Sequence, residues 1–105
     1  MSSIDVVERN YLGMTPENAE ILAINAVTFI LSDEDIAPRF MAMTGADITQ
    51  VKSNITDPTF LVGVLDFLLA FEPDLLAFCA EYSLNDEDPM RAKMALQGPN
   101  TWDSI

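Results

Sequence analysis

Few residues in this 105-residue chain could do chemistry, and their types limit what that chemistry could be. Cys79 is the only cysteine, and histidine is absent. Without histidine the commonest general base and the commonest zinc ligand are missing, as are the Ser-His and Cys-His nucleophile pairs. One cysteine alone makes no structural zinc or iron–sulfur site. Cys79 stands between Phe78 and Ala80 on an apolar face, the setting of a buried, inert thiol. No intrachain disulfide can form, which fits a reducing compartment.

Asp66 is the one carboxylate that looks misplaced, set among Leu65, Phe67 and Leu68. Buried without partners it would cost stability, so it is either a tuned acid beside a pocket or a structural carboxylate. In the structural reading it sits at the domain edge or bonds across the fold to Asn25, Thr28 or Arg39. The structural reading is favoured because no second catalytic group accompanies Asp66. Two acidic runs, Asp33-Glu34-Asp35 and Asp86-Glu87-Asp88, lack the Asx spacing, glycine and terminal glutamate of a calcium loop. Both stand where a helix begins, and capping accounts for them. Gly13, Gly45, Gly63 and Gly98 are too far apart to build a phosphate-cradling loop. We therefore expect no catalytic residue, no cofactor and no metal.

The charge points the same way. Seventeen acidic residues face five basic ones, a formal net charge of −12. Nucleic-acid phosphates and anionic membrane surfaces are repelled by such a chain. A glycine turn at Met43-Thr44-Gly45-Ala46-Asp47 suggests a helix-turn-helix, but its would-be recognition helix, 48–54, carries only Lys52 as a basic residue. The longest apolar run, Phe60 to Phe71, is short and is interrupted by Asp66, so it does not span a bilayer. The start Met1-Ser2-Ser3-Ile4-Asp5 lacks the features of a secretory signal, so Asn54-Ile55-Thr56 reads as a chance glycosylation match. A cytoplasmic protein is expected.

The elements that position these residues are announced by proline. Thr15-Pro16, Asp57-Pro58, Glu72-Pro73 and Asp88-Pro89 each read as a helix start, because proline fits the first turn and a polar residue before it can cap. Six helices follow: about 16–31, 33–44, 48–54, 58–70, 73–82 and 89–97, the second stopped by Gly45 and the last by Gly98-Pro99. Pro38 should kink the second helix or delay its start. Period-2 alternation does not compete with this reading. The expected fold is all-α, a single helical domain over 15–98 with a lead segment 1–14 and a tail 99–105. Trp102 could pack back on the body from that tail.

The chain also carries a repeated pattern. Phe29-Ile30-Leu31 matches Phe67-Leu68-Leu69, and Phe40-Met41-Ala42 matches Phe78-Cys79-Ala80, both at an offset of 38 (67 − 29 and 78 − 40). The small or polar stripe of the first helix (Ile21, Asn25, Thr28, Ser32) corresponds under this shift to Thr59, Gly63, Asp66 and Ala70. Helices that are otherwise apolar belong in the centre of a bundle. This predicts two similar three-helix halves with pseudo-twofold organisation and a buried polar stripe at Asn25, Thr28 and Asp66.

The phrases Arg39-Phe40-Met41-Ala42-Met43-Thr44-Gly45, Asp57-Pro58-Thr59-Phe60-Leu61 and Val64-Leu65-Asp66-Phe67-Leu68-Leu69 resemble a family of short alphaproteobacterial proteins, the domain-of-unknown-function family DUF3572. The resemblance covers about 21–97 and implies a small bacterial cytoplasmic protein. It brings no activity, cofactor or catalytic residue.

A mean hydropathy of +0.19 is high for a small soluble domain. It fits an unusually complete core or an apolar face kept for a partner. Methionines adapt to varied apolar partners, so Met41, Met43, Met90 and Met94 are the candidate partner face. The expected function is a non-enzymatic interaction module that docks on another protein or self-associates. The alternative is a small-molecule-binding protein or minor enzyme with a pocket near Asp66.

Overall fold

The structure is a computed structural model that describes residues 14–97; Trp102 and the Gly98-Pro99 stop lie outside the described residues. Six helices account for its regular structure: α1 (Pro16–Ser32), α2 (Ile36–Thr44), α3 (Ile48–Asn54), α4 (Pro58–Leu69), α5 (Glu72–Glu81) and α6 (Asp88–Gln97). None is long and apolar enough to cross a membrane.

The helix starts show how local chemistry sets the boundaries. Thr15 accepts the Asn18 N–H at 3.1 Å, and Asp57 accepts the Thr59 N–H at 3.0 Å. Asp47 and Gln50 form a reciprocal capping box at the head of α3. In Glu72-Pro73 and Asp88-Pro89 the acid is the first helical residue instead of the cap, a correction to the simple reading of those pairs. Pro38 delays α2: the helix begins at Ile36, three residues later than expected, which puts proline in the first turn where its missing N–H breaks no bond. Asp33 bridges the gap by accepting the N–H groups of Asp35 (2.8 Å) and Ile36 (3.0 Å).

Gly45 ends α2 with φ of +70°, its N–H bonded to the Met41 carbonyl. Ser83 ends α5 with φ of 56°, and the Leu84 N–H reaches back to the Cys79 carbonyl at 2.8 Å.

α1 packs on α2, α4 and α6, while α4 packs on α1, α5 and α6. The centre is thus a trio, α1, α4 and α6, with α6 seated against both longer helices. Ala92 and Ala95 are its buried alanines, and α1 buries Ala19, Ala23 and Ala26. Small side chains let helix axes come close, so the cohesion of this centre comes from dense contact. Phenylalanines tie the outer helices on: Phe40 of α2 meets Phe67 of α4 edge-on at 5.2 Å, and Phe78 of α5 meets Phe29 of α1 at 5.5 Å.

Under the offset of 38, the last residue of α2, Thr44, corresponds to Tyr82, which caps α5. The third and sixth helices are used differently, however. α6 is part of the central trio, whereas α3 buries only Val51.

The polar stripe is not buried. Thr28 is exposed, Asn25 half-buried and Asp66 50% exposed on its side chain. Together with Ser32, Thr59, Gly63 and Ala70, which are also exposed, these residues face away from the core. A narrow polar stripe marks the solvent edge of a central helix as readily as a buried network, and here it marks the edge.

Candidate functional site

The last turn of α2, the Gly45 turn, α3 and the first two turns of α4 border an open cleft of about 300 Å³. Its lining includes Phe40, Phe60, Gly63 and Val64, with Thr44, Gln50 and Asn54 as polar members. Phe40 and Val64 are fully buried. Phe60 stands edge-on to Phe40, 6.4 Å between ring centres. Thr44 fixes the turn, its hydroxyl donating to the Phe40 carbonyl (2.8 Å) and accepting the Ala46 N–H (3.3 Å). Gln50 is held by the capping box, where its Oε1 accepts the Asp47 N–H at 3.0 Å. The exposed part of the lining is polar or small, Thr44, Gly45, Gln50, Asn54 and Gly63, with Phe60 half-buried among them.

Gly63 is the telling residue. Glycine inside a helix is less stable than alanine by about 0.5–1 kcal/mol. Neither usual reason for it applies: the backbone is helical, and a Cβ there would meet nothing within 4 Å. Gly63 is exposed and borders the cleft. Gly63→Ala is therefore expected to stabilise the fold by about 0.5–1 kcal/mol, read as a higher urea midpoint at unchanged slope.

Asp66 lies on α4 three residues beyond Gly63, outside this cleft. Its Oδ1 forms an ion pair with Lys93 Nζ of α6 at 2.7 Å. It is thus the edge carboxylate of the structural reading, with Lys93 as partner in place of Asn25, Thr28 or Arg39. Lys93 gave no sequence signal because the pair joins two helices with no fixed spacing.

The four methionines do not form one face. Met41 packs against the core, whereas Met43, two residues on and across α2, is 73% exposed. Met90 is exposed and Met94 half-buried on a shared side of α6.

Arg39 and Asp74, 35 residues apart, carry no pairing signal in the sequence. Arg39 Nη2 donates to Asp74 Oδ2 at 2.8 Å, joining α2 to the first turn of α5. The guanidinium also lies 5.9 Å from the Phe67 ring centre and 5.2 Å from that of Phe71.

Cys79 is buried, and its thiol donates to the Asn85 carbonyl at 3.5 Å. Burial pushes its pKa above the ordinary thiol value, and the carboxylates of Asp86 and Asp88 push the same way. The folded state holds this proton more firmly than the unfolded chain. The associated stability is whole below the ordinary thiol pKa and is lost as pH rises from there through the raised value. A disulfide reagent at neutral pH is expected to label Cys79 only as fast as the chain opens, and at once in denaturant.

The family model described as Protein of unknown function (DUF3572) matches residues 16–99, from the first residue of α1 to two residues past α6. The chain belongs to this family. The DUF3572 match thus takes in all six helices. Neither a curated protein nor a solved structure matches the chain.

Proposed function

We propose that this DUF3572 chain is a non-enzymatic protein-interaction module, and that the cleft bounded by α2, α3 and α4 is its docking site. The observation that carries the reading is Gly63, a helix-weakening residue in the cleft wall that neither packing nor backbone geometry requires. Residues kept at a cost to stability are commonly kept for function. Met43, one residue before lining residue Thr44, is 73% exposed and adds an adaptable apolar side chain at the surface nearby. The lack of histidine in the sequence and the charge of −12 favour a protein partner over catalysis, nucleic acid or an anionic membrane. The single, buried, unpaired cysteine suits a reducing cytoplasm.

The test compares wild type with Gly63→Phe, tagged and exposed to lysate of the native host. A stoichiometric protein captured by wild type and lost in the variant, with both melting at similar temperature, is the expected result. Equal recovery by both proteins would remove the cleft as the docking site.

A further inference from the structure

We infer that α3 and its flanking turns, residues 46–56, form a gate that opens as a unit while the other five helices stay packed. The inference stands apart from the docking reading, since such a gate opens whether or not a partner enters the cleft. Its first ground is how little holds the segment down. α3 buries Val51 alone, with Ala46 and Ile55 partly buried at its two ends. The close helix pairs of the fold, α1–α6, α4–α6, α1–α4, α1–α2 and α4–α5, all leave it out. Among the described residues, no hydrogen bond or ion pair of 46–56 reaches beyond Thr44 on one side and Asp57 on the other. By contrast, Arg39 and Asp74 tie α2 to α5, and Asp66 and Lys93 tie α4 to α6. The capping box of Asp47 and Gln50 binds α3 only to itself.

The second ground is what borders the segment. Gly45, at φ of +70° with nothing within 4 Å of an added Cβ, gives it a pivot free of side-chain crowding. Gln50 and Asn54 share an open cleft with Phe40, Phe60 and Val64, so the space between α3 and α4 is only partly filled. A helix of seven residues is not stable alone in water, so withdrawal of Val51 unravels it. Segments with few buried contacts open at the low end of a fold's range of opening free energies. Opening takes Gln50 and Asn54 out of the cleft wall and uncovers its apolar side, Phe40, Phe60 and Val64.

Hydrogen exchange of the full chain, followed by NMR in rising urea below the unfolding transition, tests the gate. Relative to unfolded-chain rates, the amides of 51–54 should exchange at least about a hundredfold faster than those of Ala23 and Leu65 in α1 and α4. Their rates should hardly change with urea, because opening exposes little surface. Phe78→Leu should speed exchange in α1 and α4 but leave that of α3 unchanged, since Phe78 stays packed when the gate is open. Trypsin gives a second readout. Lys52 is the one basic residue among the described residues without an ion pair, and the first cut within 14–97 should follow it. Val51→Ala should speed that cut about tenfold with the chain still folded. Amides of α3 that share the protection and urea slope of α1 and α4 would overturn the gate, showing a segment that opens only with the whole fold. A first cut at Arg39, Arg91 or Lys93 would overturn it too, as would equal acceleration of all three helices by Phe78→Leu.

Discussion

Phe78→Ala is expected to lower unfolding free energy by about 3–5 kcal/mol, the usual cost of emptying a fully buried phenylalanine site. Phe78 has no exposed surface and packs between Phe29 of α1 at 5.5 Å and Tyr82 at 5.1 Å. It thereby ties α5, which otherwise rests on α4, to α1 as well. Small domains have only about 5–15 kcal/mol in total, so the variant should lie near the limit of folding at 37 °C. Urea unfolding followed by circular dichroism gives the number. A loss under about 1 kcal/mol would mean that α5 does not depend on this ring.

The second large effect is an asymmetry. Arg39→Ala is expected to cost about 1–3 kcal/mol, because it leaves the Asp74 carboxylate buried (9% exposed) without its donor. It also removes the guanidinium from the Phe67 and Phe71 rings. Asp74→Ala should cost less, since the arginine left behind is 43% exposed and rehydrates. Paired urea titrations of the two variants decide the matter. Equal losses would show that the cost belongs to the bond alone and not to the burial of one partner.

The difference between Arg39 and Asp66 explains much of what was legible beforehand. Helix positions could be read because capping and proline placement act within four residues, as at Thr15, Asp47 and Asp57. The all-α class followed from them. Ion pairs between helices have no such local signature: Asp74 lies 35 residues from Arg39, and Lys93 is on a different helix from Asp66. Asp66 looked buried because its sequence neighbours are apolar, but in a helix those neighbours point elsewhere. The expectation of a buried stripe failed for the same reason. The cleft was hidden too. Gly63 was visible in the stripe of α4, but only the folded chain brings it to one cleft with Thr44, Gln50 and Asn54.

The seat of α6 between α1 and α4 ties the closing of the core to the order of synthesis. Residues 16–81 can form five helices on emerging from the ribosome, yet the faces of α1 and α4 that receive α6 remain wet until residues 88–97 arrive. The contacts of α1 with α6 join segments from opposite ends of the described chain, so that closure falls late. A nascent chain paused before Asp88 is a half-open bundle with two apolar faces bare, the species most exposed to chaperones and to aggregation.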